Sequence, residues 1–93
     1  MKPWHAESFD WDDGNDLELA SHGISQEEVE SVFEEGPVWA PNKKDRAGDW
    51  LMIGRTAGGR ALTIPLRLDE TRLAPRPITG WDSTAGERTR YLA

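Results

Sequence analysis

The stretch Trp50-Leu51-Met52-Ile53-Gly54-Arg55-Thr56-Ala57-Gly58-Gly59-Arg60-Ala61-Leu62-Thr63-Ile64-Pro65-Leu66-Arg67-Leu68 decides the fold of this chain. Two apolar runs, Trp50 to Ala57 and Arg60 to Leu68, are separated by Gly58-Gly59. A glycine pair suits a two-residue hairpin turn, because both central residues then need positive φ. That turn predicts a register in which Ala57 faces Arg60, Arg55 faces Leu62, Ile53 faces Ile64 and Leu51 faces Leu66. The last six of these would share one face, the one covered by helices. Trp50, Met52, Thr63 and Arg67 would share the other, with Arg67 across from Trp50 in cation–π reach. Pro65 cannot donate to a ladder, so its nitrogen is expected to face an edge or a bulge.

Working outward, residues 1–8 read as a flexible leader and Phe9-Asp10-Trp11 as a short strand ending at Asp12, a good helix N-cap. A first helix is expected from Asp13 to His22, stopped at Gly23. The second helix is marked more strongly. Ser25 and Glu28 form a capping box, Ile24 and Val29 a hydrophobic staple, and Gly36-Pro37 a stop. Val29, Val32 and Phe33 make its apolar stripe, while Glu27, Glu30, Glu34 and Glu35 lie on the outer face as solvated surface. Pro41 to Gly48 reads as an exposed loop with Lys43, Lys44 and Arg46 at its tip, and Asp69 to Pro75 as a second polar connection. Arg76 to Trp81 would be the last strand, and Thr84 with Glu87 caps a short C-terminal helix. The predicted class is α+β: an antiparallel sheet of three to four strands, two helices packed on one face and a short C-terminal helix, all within one domain over residues 9–93.

Composition bounds the function. Ninety-three residues build one modest core, so any site must be shallow. With no cysteine and only His5 and His22, neither a thiolate zinc site nor any other metal or cofactor is expected. The start lacks the apolar run of a signal peptide, and no window approaches a membrane span, so the expected location is the cytoplasm. The net charge of −6 hides a split: the first forty residues carry eleven acids and one base, the remaining fifty-three ten bases and six acids. Arginines gathered on one face can hold a phosphate or carboxylate locally even in an acidic chain. Five tryptophans, Trp4, Trp11, Trp39, Trp50 and Trp81, point to aromatic core or to a partner surface.

Phosphate-cradling glycine loops, nucleophile elbows and histidine pairs at helical spacing are absent from the sequence. What remains is Arg55, Arg67, Arg76, Glu87, Arg88, Arg90 and Tyr91, toward the C-terminal end. Such a set suits phosphodiester chemistry without a metal. Cleaving RNA at its own 2′-hydroxyl needs a base, a cation for the phosphorane charge and a proton donor for the leaving oxygen. The competing reading is core packing and surface pairing.

Phe9-Asp10-Trp11-Asp12, His22-Gly23-Ile24-Ser25 with Glu27-Glu28, Val32-Phe33, Ile53-Gly54-Arg55, Gly59-Arg60 and finally Glu87, Arg88 and Tyr91 together resemble the BrnT-like toxin family over roughly residues 9 to 91. The resemblance implies a RelE-like fold and a type II toxin–antitoxin role: a metal-independent endoribonuclease that inhibits translation and is neutralised by a cognate antitoxin protein. It nominates Arg55, Glu87, Arg88 and Tyr91 as catalytic and His22 as the histidine of the His-Gly element, which could equally cap the first helix. Trp50, Arg67, Arg76 and Trp81 complete the candidate binding set, with RNA as the implied partner.

On the final strand the family typically carries Ser-Ala-Arg, where this chain reads Thr79-Gly80-Trp81. Trp81 replaces a charge with an indole that can be buried or can stack a nucleobase. The alternative is therefore a non-catalytic protein or ligand interaction module on the same frame, binding through a Trp-rich sheet face.

Overall fold

The computed structural model describes residues 2–43, 47–68 and 74–93. In chain order the elements are a 3-10 turn Pro3–His5, helices α1 (Asp13–Ser21) and α2 (Gln26–Glu34), strands β1 (Val38–Pro41), β2 (Trp50–Arg55), β3 (Ala61–Arg67), β4 (Arg76–Pro77) and β5 (Trp81–Asp82), and helix α3 (Ala85–Glu87), which runs on as a π-helical turn Arg88–Leu92. The fold is α+β. Its antiparallel sheet has the order β1-β2-β3-β4, with β5 pairing β3 beside β4.

Both long helices start as their sequences dictate. Asp12 accepts from the Gly14 and Asn15 backbone N–H groups while Asn15 reaches back to Asp12, and Ser25 and Glu28 close the reciprocal box on α2. At α2's far end Gly36 turns the chain at φ 80°. Leu19, Ile24, Val29 and Val32 then pack on Met52, Leu62, Ile64 and Leu66 of the sheet, with Phe9, Trp11, Phe33 and Trp39 around the margin.

The hairpin differs from expectation by one residue, and the difference has a clear cause. The loop is three residues long: Thr56 N–H donates to the Arg60 carbonyl, Gly59 N–H donates to the Thr56 carbonyl, and only Gly59, at φ 93°, takes the left-handed conformation. The extra loop residue moves the register, so Met52 pairs with Ile64, Gly54 with Leu62, Leu51 with Pro65 and Trp50 with Leu66. A slip of one exchanges faces. Met52, Leu62, Ile64 and Leu66 therefore face α1 and α2, while Leu51, Ile53, Arg55, Thr63, Pro65 and Arg67 occupy the opposite face. Trp50 lies across from Leu66 rather than Arg67, and its ring meets Trp4 at 5.2 Å and the Lys2 ammonium at 5.5 Å. The expected grouping of Trp50, Met52, Thr63 and Arg67 on one face does not form.

The pattern did not reject the wrong register because both faces of β2 are covered. Ile53 and Thr63 are as fully buried as Met52 and Ile64. The second face is closed by the C-terminal segment. Pro65 behaves as its chemistry requires: its carbonyl accepts from Ile78 N–H in the interval between β4 and β5, so its donorless nitrogen, pointing the same way, falls where the ladder is interrupted. The last strand is accordingly two short ones, broken at Gly80. Strand β1 lies in a stretch not expected to pair, and Phe9-Asp10-Trp11 is not a strand but a crossing segment whose Asp10 N–H donates to Pro75. Within the expected leader, Pro3 is buried and Trp4, 41% exposed, stacks among Trp39, Trp50 and His5. Lys44, Arg46 and the segment 69–73 lie outside the described residues.

Arg76, at the start of β4, ties that edge to α1 by a bidentate pair with Asp12, at 2.7 and 2.9 Å. The Arg76 guanidinium beside Asp12 holds its carboxyl at about 2 instead of 3.8, helped by the helix N–H groups. A lowered carboxylate pKa gives a contribution that is complete above 3.8 and fades as pH falls through about 2. Arg76→Gln is expected to return the Asp12 titration toward 3.8, followed through the side-chain carboxyl resonance.

Candidate functional site

The second sheet face holds the best-organised polar group of the molecule. Thr63 and Trp81 are paired across β3 and β5, and Ser83 follows on the connection to α3. Glu87, three residues after the cap Thr84, points its carboxylate back into this corner. Its Oε1 accepts from the Thr84 backbone N–H at 2.8 Å, the Trp81 indole N–H at 3.0 Å and the Thr63 hydroxyl at 3.1 Å. Burial alone would push the Glu87 carboxyl up, but these donors outweigh it and hold it below the ordinary 4.5. A carboxylate so held is a weak base. Glu87 is a positioning residue, fixing the terminal helix against the sheet.

Glu87→Ala leaves three donors without their acceptor and removes half of a capping box. The expected loss is about 1–3 kcal/mol of stability, read as a lower melting temperature. A base acting only in chemistry would leave the melting temperature unchanged.

Beside this corner, a groove of about 500 Å³ opens between β2, β3 and the π-helical turn. Leu51 and Pro65 form its floor, Trp81 and Thr79 one side, and Tyr91 and Arg90 the wall from the terminal helix. Pro41, Asn42, Lys43 and Ala47 border it from the β1–β2 connection. Arg90 stacks on the Tyr91 ring, its guanidinium carbon 5.3 Å from the centroid. Lys43 and Arg90 are both exposed, and among the described residues no carboxylate lines the groove. In an acidic chain this is a local positive site flanked by two aromatic rings.

Of the residues nominated from sequence, the structure brings Trp81 and Tyr91 to this groove and Glu87 to the support behind it. The others are placed elsewhere. Arg55, exposed at the end of β2, donates weakly to the Gly59 carbonyl at 3.4 Å, and Arg88 donates to the Ser83 carbonyl at 2.6 Å. Arg67 sits opposite Arg76 at the far end of β3, Arg76 is paired with Asp12, and Trp50 belongs to the aromatic cluster around Trp4. His22 is the C-cap of α1; its Nε2 lies 3.0 Å from Glu18, which also accepts from Thr79. Thr79 first and His22 second hold the Glu18 carboxyl below its ordinary value. His22 is not among the groove residues.

From sequence, Arg90 stood in the arginine, glutamate and tyrosine set without a role of its own, Lys43 stood at the tip of an exposed loop, and Arg60 entered only through the hairpin and the Gly59-Arg60 element. Arg90 adjoins Tyr91, which was a usable signal; Lys43 was legible as a loop-tip cation, but its loop is distant in sequence and no spacing joins it to the terminal helix. Arg60 bridges three elements, donating to Asp82 at 2.8 Å, to Glu28 at 2.9 Å and to the Gly23 carbonyl at 2.8 Å. That neutralises the only basic residue of the turn, and the pairing with Asp82 and then Glu28 raises the Arg60 pKa further. Among the described residues no cluster of three or more acids and histidines is arranged to hold a metal ion, and no helix is long and apolar enough to cross a membrane. Compared with known proteins, the chain matches no family model, no curated protein and no solved structure.

Proposed function

We propose that this chain is a BrnT-like toxin component that engages single-stranded RNA in the Arg90–Tyr91–Trp81 groove, under the control of a cognate antitoxin. The observation that carries this reading is the juxtaposition of two exposed cations and two aromatic rings in one groove, with no carboxylate among its described lining residues. Cations meet phosphates and rings stack bases, which is the usual pairing of parts for single strands. The sequence resemblance supplies the toxin class. For cleavage, the 2′-oxygen bonds to the adjacent phosphorus and its proton passes to solvent, while the 5′-oxygen departs. Arg90 faces the phosphorane charge and the Tyr91 hydroxyl gives its proton to the departing oxygen.

One observation favours a second reading, binding without reaction. Glu87 is committed to three donors, and Arg55 and Arg88 are turned onto backbone carbonyls. The test is a labelled structured RNA incubated with the protein in excess chelator, beside Tyr91→Phe and Trp81→Arg. Cleavage by the wild type, reduced about hundredfold in Tyr91→Phe, supports the ribonuclease reading. Retention of RNA without cleavage, unchanged by Trp81→Arg, leaves the binding module. Neither retention nor cleavage overturns both RNA readings.

A further inference from the structure

A second groove, on the opposite layer, has the reverse charge. Ala6, Glu7, Ser8 and Phe9 form one wall and Glu30, Phe33 and Glu34 of α2 the other, enclosing about 290 Å³. Its floor is apolar. The Phe9 and Phe33 rings meet edge to face at 5.3 Å, both half-buried against the main core. Its rim is acidic on both sides, and Glu7, Glu30 and Glu34 are all exposed. None of the three is engaged in an ion pair with another described residue, in contrast to Asp12, Glu28 and Asp82. Glu30 and Glu34 also stand one helical turn apart, a spacing at which like charges repel.

We infer that this groove is the docking site for a basic segment of a protein partner, one with a single large apolar residue flanked by lysines or arginines. The volume sits at the lower limit of about 300 Å³ for small-molecule sites, which suits one anchoring side chain rather than a cofactor. An apolar anchor in an aromatic floor supplies the affinity, and the carboxylate rim steers and orients the cations. The charge of the surrounding half selects the same sign of partner: eleven acids against one base in the first forty residues. Relief of the Glu30–Glu34 repulsion adds to binding only when a cation arrives.

The inference stands apart from the RNA reading, because Phe9 and Phe33 border the layer covered by α1 and α2 whereas the cationic groove lies on the other face of the sheet. The probe is a labelled amphipathic lysine–leucine peptide, titrated against the protein at low and moderate salt, with a lysine–serine peptide of equal charge as comparison. Glu30→Gln with Glu34→Gln is expected to weaken lysine–leucine binding about fivefold, the size two exposed ion pairs give. Glu27→Gln with Glu35→Gln removes the same charge from the same helix outside the groove, and is expected to change binding by less than about twofold. Equal losses in the two double variants, equal binding of the two peptides, or no binding at all would overturn the inference. RNA retention should be the same in the Glu30/Glu34 variant as in the wild type, so failure here and failure of the RNA reading are separately visible.

Discussion

Ile64→Ala is expected to lower stability by about 3–4 kcal/mol, and Gly80→Ala by about 2 kcal/mol, yet the two together by clearly less than their sum. Ile64 is fully buried at the middle of β3, opposite Met52 and beneath α1 and α2. Gly80 is buried where the chain passes between β4 and β5. A methyl group added there would lie 2.6 Å from Ile64 Cδ1, 2.9 Å from Leu19 Cδ2 and 3.1 Å from Ile24 Cδ1, so three core side chains would have to move at once. Truncating Ile64 vacates the volume that the new methyl group needs. Urea melts of the two single variants and the double variant measure the coupling; strict additivity would mean that Gly80 and Ile64 do not share the space the geometry gives them. The result also bears on the Thr79-Gly80-Trp81 stretch: its glycine is required by the core, whatever Trp81 does.

Elements defined by local chemistry were legible in the sequence. The capping boxes at Ser25 and Thr84 and the turn at Gly36 are contacts among neighbours, so residue identity alone carries them. The same holds for Asp12, whose cap on α1 needs only Gly14 and Asn15. The hairpin register was not legible, because it depends on whether Gly58 or Gly59 alone takes positive φ. The usual check, one apolar and one polar face, is missing from a strand buried on both sides. Strand β1 was hidden for a related reason, since Val38–Pro41 is short, ends in proline and gains its order from pairing with β2. The cationic groove was half visible: Trp81 and Tyr91 were nominated, but Lys43 arrives through the β1–β2 connection, and no spacing rule links it to Arg90. Three of the arginines named from the strands and the terminal helix lie apart from the groove for one physical reason. Arg55, Arg76 and Arg88 find acceptors close at hand, and a guanidinium already donating to a carboxylate or a carbonyl is not poised for a ligand.

Arg90→Ala is expected to weaken binding of a short single-stranded RNA about tenfold and to reduce the salt dependence of that binding by about one phosphate contact. Arg90 is exposed, and its guanidinium lies over the Tyr91 ring at the groove wall, so its charge is oriented without being neutralised. Arg55→Ala is the matched comparison: it removes one equally exposed arginine from the hairpin end, outside the groove, and should change affinity by less than about twofold. Net charge becomes more negative by one in both variants, so a purely global repulsion of RNA would affect them alike. Lys43→Ala should lower the salt slope again when added to Arg90→Ala, because the two cations border the same groove from different elements. If Arg55→Ala and Arg90→Ala weaken binding equally, RNA senses only the overall charge and the groove is not its site. If Arg90→Ala alone acts but Tyr91→Phe still cleaves, the groove binds RNA while the proton for the departing oxygen comes from elsewhere.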